Sequence, residues 1–226
     1  MKTFTKLILV MSSAFLVLTA CTSEEPSKDT VEVNNGTSTE TKEKSNKEAA
    51  NTEEESKEKQ TNHAMFTDRY DDIIEDASEM YMPGVEWELW KAQLYQESKL
   101  EPMAESPVGA RGLAQFMPAT WQQISEELGY GNVAPTAAKP SIHAGAYYMG
   151  KLRANWSSPR PEMDRHYLAA SSYNAGLGNL LKAQKACDMK VLYSEIIECL
   201  PEITGHHSKE TITYIKRIKR WFLMMR

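Results

Sequence analysis

The chain has 226 residues, 41% of them hydrophobic and 25% charged, and its 31 acidic against 26 basic side chains give a net charge of −5. That length holds one domain with a sizeable core plus appended segments. The balance of charge argues against nucleic acid as a partner, which would demand a strongly basic face.

The amino terminus reads as an export signal. Lys2 and Lys6 precede an apolar run from Leu7 to Ala20, too short for a mature membrane span but suited to the core of a signal peptide. The run ends in Leu18-Thr19-Ala20-Cys21, which resembles the lipobox cut by lipoprotein signal peptidase. Residues 1–20 are therefore expected to be removed and Cys21 to become the lipidated first residue. An ordinary secretory signal cleaved nearby is the alternative. Thr22 after Cys21, rather than Asp, is compatible with sorting to an outer membrane facing the periplasm if the host has one.

Residues 21–62 form the second segment. From Thr22 onward the composition is Ser, Thr, Glu, Lys and Asn, with eleven acids against six lysines and almost no large apolar residue. Such a stretch cannot offset the entropy of ordering itself and reads as a disordered tether. Its end-to-end distance would be about 35 to 40 Å, enough to lift a domain from membrane to wall. A plain solubilising spacer is the other reading.

Residues 63–226 suit one compact, nearly neutral domain, with twenty acids against eighteen bases. Its periodicity is helical. Phe66, Tyr70, Ile73, Ile74, Ala77 and Tyr81 recur at helix spacing, Pro83-Gly84 breaks the pattern, and Trp87, Trp90, Leu94 and Glu97 continue on a second helix. Pro118 suits the first turn of a helix striped by Trp121, Ile124 and Leu128, with Gly129 past its end. Pro140 and Pro161 can open two further helices, the latter ending at Tyr173 to Gly176. A terminal helix carries Ile212, Ile215, Ile218 and Phe222 on one side and Lys216, Arg217, Lys219 and Arg220 as a solvated basic face, which could also meet an anionic wall or lipid. Alternating β-branched runs are absent, so the fold class is all-α.

The chemistry gathers in four motifs. Glu97-Ser98 ends an apolar helical stretch, Ser106 follows nine residues after the acid, Gly112-Leu113-Ala114-Gln115 places its Gln eighteen residues on, and Tyr173-Asn174-Ala175-Gly176 comes later. Glu210-Thr211-Ile212-Thr213-Tyr214-Ile215 is the fourth. A carboxyl at the end of an apolar helix can be pushed toward its protonated form by desolvation, which suits a general acid. From periodicity alone a solvent-facing helix acid would be the plainer reading.

In order and spacing these motifs resemble the family 1 lytic transglycosylases, whose soluble-lytic-transglycosylase-like domains cut the glycan strands of peptidoglycan. The resemblance covers roughly residues 86 to 216 and implies a lysozyme-like helical domain. It implies that Glu97 is the catalytic acid, that Tyr173 directs its hydroxyl toward that carboxyl, and that Ser106, Gln115 and Asn174 line the cleft and bind sugar. Glu210 and Tyr214, one helical turn apart, would support the cleft from the last helix. Taken alone, Ser106-Pro107 and its glycine-rich surroundings are ordinary turn chemistry, and Tyr173 would be core.

Most glycoside hydrolases use a second carboxylate, and Glu101, Glu105, Asp164 and Glu210 qualify by type. The resemblance assigns none of them that role. It implies instead assistance by the substrate's own N-acetyl group, with Glu97 acting first as acid and then as base so that a 1,6-anhydro ring closes on the muramoyl residue. Two other functions stay open: a wall-binding lipoprotein with little activity that serves an envelope or secretion machine, and a lysozyme-type hydrolase. Two departures from the family pattern stand out. Ala114 replaces a frequent Met, which is expected to reduce an apolar sugar contact, and Lys139-Pro140-Ser141-Ile142 replaces Asp-Pro-x-Asn-Ile.

No cofactor or metal is expected, because the five histidines, among them His206 and His207, lack partnering ligands at metal spacing. Cys187 and Cys199 remain once Cys21 is lipidated. In an oxidising compartment they would form one bridge, and two buried thiols are the alternative.

Overall fold

The computed structural model describes residues 65–226. The expected signal peptide, the lipidated Cys21 and the tether lie outside the described residues. The domain boundary expected at residue 63 lies just outside them too.

Among the described residues the architecture is helical, with no strand and only two isolated bridges, Glu105 to Arg111 and Arg111 to Phe116. In chain order come α1 (Asp71–Tyr81), α2 (Trp87–Ser98), α3 (Pro118–Glu127), α4 (Ala138–Asn155), α5 (Glu162–Ala175), α6 (Leu177–Ala186), α7 (Tyr193–Ile196), α8 (Leu200–Thr204) and α9 (Ser208–Met225). One-turn 3₁₀ segments, Ile197–Cys199 and Gly205–His207, flank α8. None of these helices is long and apolar enough to cross a membrane.

The breaks are where backbone chemistry puts them. Pro118 occupies the first turn of α3, where its missing N–H costs nothing. Pro140 lies within the first turn of α4, and Pro161 is the residue just before α5. The apolar stripe beginning at Phe66 is only partly one helix. Tyr70 stands at the N-cap of α1, and Phe66 lies ahead of it. Both are nonetheless buried, and the Phe66 ring meets Tyr95 edge-on at 4.8 Å.

The core is built around α2. Trp90, Leu89 and Leu94 are buried there with Ile74 from α1, Ile142 and Met149 from α4, Leu168 from α5 and Ile218 from α9. α9 lies along α2, and α1 along α4. Gly145 lets α4 approach so closely that a Cβ there would stand 2.7 Å from the Trp90 ring. Trp156 is 1% exposed and donates its indole N–H to Ser172 Oγ at 3.1 Å. His166 is also shut in the core, with neither ring nitrogen hydrogen-bonded among the described residues. Burial, and then the Arg153 charge, hold its pKa down at about 3.

Cys187, just after α6, and Cys199 are joined by a disulfide with their Cα atoms 5.8 Å apart. Of the two readings open from sequence, the bridge is the one found. It ties the end of α6 to the short-helix region that leads into α9.

Candidate active site

Three helices, α2, α5 and α9, and one loop build the site. α2 delivers Glu97 as its penultimate residue. The next residue, Ser98, turns back to donate to the Leu94 carbonyl at 3.1 Å, so this hydroxyl serves the helix end. Lys99 and Leu100 then take left-handed backbone angles, φ 57° and 61°. The Lys99 ammonium lies over the Tyr95 and Trp221 rings, at 4.4 and 5.1 Å from their centres.

The Glu97 residue keeps part of its surface accessible, while its carboxyl end is enclosed by protein. Desolvation raises its pKa to about 7, against a smaller lowering by the Tyr214 hydroxyl. That hydroxyl, from α9, donates to Glu97 Oε1 at 2.5 Å. At neutral pH the group is therefore divided between acid and carboxylate, the condition in which one residue can first give and then take a proton.

Tyr173, near the end of α5, has a different hydrogen-bond partner from the one implied by the family resemblance. Its hydroxyl donates to the Ala114 carbonyl at 2.7 Å. The Glu97 charge still helps raise the Tyr173 pKa, after burial, so the phenol lies within electrostatic reach of the acid. The tyrosine that hydrogen-bonds the acid is Tyr214, for which sequence suggested only a supporting place.

Ser106 and Gln115 hold the intervening loop. Ser106 Oγ accepts the Ala110 N–H at 2.9 Å, the turn-capping arrangement that serine before proline suggests. The Gln115 side-chain amide donates to the carbonyls of Ala104 and Gly112, at 3.1 and 3.0 Å. Glu105 and Arg111 pair across the loop at 2.8 Å. Gly112 could be no other residue here. Its φ is +82°, and a Cβ would stand 1.9 Å from the Pro135 carbonyl oxygen.

Both departures from the family pattern have a structural role. Ala114 is fully buried beside Gly145, so its own methyl group offers no surface to a ligand. What Ala114 offers the site is its backbone: the carbonyl receives Tyr173, and its N–H donates to Ser141 Oγ at 3.3 Å. Ser141 thereby anchors the loop from α4.

A groove of about 370 Å³ lies beside the acid, lined by Gln96, Asn174, Lys209, Glu210, Thr213, Tyr214 and Arg217. It brings Asn174 and Glu210 together in one lining. Asn174 Oδ1 is held by the Thr211 hydroxyl at 2.7 Å. Of the four other carboxylates considered from sequence, Glu210 is the one in this lining. Glu105 is paired on the loop, Asp164 accepts the Tyr193 N–H at 3.1 Å, and Glu101 is exposed.

The terminal basic cluster proves not to be one face. Arg217 lines the groove, Lys219 covers the Tyr167 ring at 4.1 Å from its centre, and Arg220 reaches Trp221. Among the described residues no three His, Cys, Asp or Glu side chains gather as metal ligands.

Comparison with known proteins points one way. The family model described as Transglycosylase SLT domain matches residues 74–191. The membrane-bound lytic murein transglycosylase F of Serratia proteamaculans is 35% identical over 112 residues, which cover 50% of this chain and 22% of that protein. Its counterpart in Shewanella pealeana is 28% identical over 159 residues, 64% of this chain and 32% of that protein. The chain thus spans less than a third of these relatives. Among solved structures, an inactive mutant of the lytic transglycosylase Slt from Pseudomonas aeruginosa superposes with a TM-score of 0.57 at 23% identity, covering 71% of this chain and 24% of that one. The 70 kDa soluble lytic transglycosylase of Escherichia coli gives 0.57 at 21%, covering 73% and 25%. At those identities the likeness establishes the fold.

Proposed function

This chain belongs to the transglycosylase SLT family, and on that premise we propose that it is a peptidoglycan lytic transglycosylase. It cuts the β-1,4 bond between N-acetylmuramic acid and N-acetylglucosamine and leaves a 1,6-anhydromuramoyl end. The observation that carries this reading is the Glu97 carboxyl, poised at a pKa of about 7 and held by the Tyr214 hydroxyl beside an open groove.

Protonated Glu97 gives its proton to the glycosidic oxygen as the bond to the muramoyl C1 breaks. The N-acetyl oxygen of the same muramoyl residue bonds to C1 and takes up the positive charge. Glu97, now a carboxylate, removes the proton from the C6 hydroxyl as O6 attacks C1, the acetamido group is released, and the acid is restored. No water enters. A single carboxyl that is neutral before the first step and basic after it suffices for this sequence, which is a recognised exception to the two-carboxylate scheme.

The remaining residues position. Tyr214 orients the carboxyl and stabilises its ionised form between the two steps. Tyr173 and Ser141 brace the Gly112–Gln115 loop through Ala114, while Asn174 and Glu210 present polar atoms to sugar in the groove. Glu97→Gln tests the assignment. The variant should retain glycan binding and lose turnover by about 10² to 10⁴, the scale of a lost acid-base group. Near-normal turnover would move the catalytic role elsewhere.

The same reading places the domain outside the cytoplasm, with residues 1–20 removed, Cys21 lipidated and residues 21–62 reaching from membrane to wall. Supporting it are the Leu18-Thr19-Ala20-Cys21 sequence and the composition that follows. Cys21→Ser should abolish acyl labelling, whereas unchanged labelling would remove the anchor from the proposal.

A further inference from the structure

Glu97 is not the only polar residue that α2 carries inward. Gln93 stands four residues before it, one helical turn back on the same side of α2, and is fully buried at 0% exposure. Neither polar atom of its amide makes a hydrogen bond of ordinary geometry among the described residues. A buried amide without a partner costs stability, so its place calls for a reason. The neighbour it acts on is Tyr214. Burial, the Glu97 charge and hydrogen bond, and Tyr173 all raise the pKa of that phenol, and the Gln93 amide alone lowers it. A group that lowers a phenol's pKa stabilises the oxygen, as an N–H donor does. The phenol's single hydrogen is already given to Glu97 Oε1, so the amide can meet it only through Nε2.

We propose that Gln93 is a positioning residue for the acid: its Nε2–H donates to the Tyr214 oxygen and fixes the phenol as a donor to Glu97 Oε1. This rests on the transglycosylase reading, in which the same carboxyl gives and then takes a proton. A phenol free to rotate could instead accept the acid's proton, and the carboxyl would then hold its hydrogen toward protein. With the amide on the phenol oxygen, Oε1 is engaged as an acceptor and the transferable proton stays on Oε2. Donation from the amide also polarises the phenol O–H and strengthens its bond to the carboxylate that forms after the first step. The other ionisable group within electrostatic reach of Glu97 is Tyr173 from α5, itself neutral and beside Tyr148 of α4. Lys209, Glu210 and Arg217 of α9 share the groove lining with Tyr214. Desolvation and the Tyr214 hydrogen bond account for the Glu97 shift, with no charged side chain contributing, so the relay through Tyr214 is the lever on it.

The test follows cleavage of soluble peptidoglycan strands by the full chain across pH, read as the rate of chain scission so that the kind of end formed does not enter. Gln93→Met nearly keeps the volume and removes the donor. Its alkaline limb of kcat/KM should move up by about half to one pH unit, and its kcat should fall about three- to tenfold, the scale of one hydrogen bond. In the Tyr214→Phe background the same substitution should leave the limb in place. A fall in rate with an unmoved limb, or an equal shift in both backgrounds, would overturn the relay. In the wild type the nitrogen-15 resonance of the Gln93 side chain should titrate with the midpoint of that limb, and the step should vanish in Glu97→Gln. A resonance flat with pH would overturn the proposal even if Gln93→Met fails to fold. Failure of the wild type to form anhydro ends, with the limb behaving as described, would instead overturn the transglycosylase reading alone.

Discussion

Tyr214 and Glu97, 117 positions apart in sequence, share a hydrogen bond of 2.5 Å, the phenol donating to Oε1. This bond opposes burial: desolvation drives the carboxyl toward its neutral form, and the phenol favours the carboxylate. The outcome, a pKa of about 7, is what a group acting as acid and then as base requires.

Removing the phenol should therefore raise that value. In Tyr214→Phe the alkaline limb of kcat/KM, where the acid loses its proton, should move to higher pH while the maximum rate falls by about tenfold or more. The pH–rate profile of the two proteins checks this. A lower rate with an unmoved limb would make Tyr214 a packing residue only.

Glu97 also carries a cost in stability. Its folded pKa lies above the ordinary carboxylate value of 4.5, so its favourable contribution is complete below that value and is lost as pH rises toward 7 and beyond. Glu97→Gln, which cannot ionise, should melt higher than wild type at pH 8, and the gap should close by pH 4.5. Thermal melts across that range would contradict the account if the gap were constant.

His166 imposes the opposite dependence. Its folded pKa of about 3 lies below the ordinary 6.5, so the unfolded chain binds the extra proton and stability falls as pH drops through 6.5 toward 3. The limiting slope is about 1.4 kcal/mol per pH unit. Urea unfolding of His166→Leu should show a shallower loss between pH 6 and 4 than wild type. Equal slopes would place the acid sensitivity elsewhere.

The Cys187–Cys199 bridge spans twelve residues and should contribute about 2 to 4 kcal/mol by restricting the unfolded chain. Reduction should lower Tm by several degrees. Because the bridge lies beyond α6, and not among the residues around Glu97, activity well below the melting transition should survive reduction. An unchanged Tm would mean that the bridge adds nothing.

The helices were largely legible because their stripes and breaks are local. Trp87, Trp90, Leu94 and Glu97 fix α2, and Pro118 marks the start of α3. α6 escaped notice because it follows α5 directly after Gly176 with no proline to mark its start, and the short helices between Tyr193 and His207 because pieces of three to five residues make too few turns for a stripe to show. Glu97 was legible through the motif around it. The assignment of partners was not: whether Tyr173 or Tyr214 meets the carboxyl depends on how α5 and α9 pack against α2, which no spacing encodes. The role of Ser141 was hidden for the same reason, as its hydroxyl reaches the backbone of Ala114, 27 residues away.

The central claim is that a single carboxyl breaks the glycosidic bond without water. Its most direct test is the mass of the muramoyl ends released from purified sacculi in water enriched in oxygen-18. The account predicts 1,6-anhydro ends, one water lighter than reducing ends, resistant to borohydride and free of the heavy isotope. Reducible ends that carry oxygen-18 would show a hydrolase and contradict it, even with Glu97 essential.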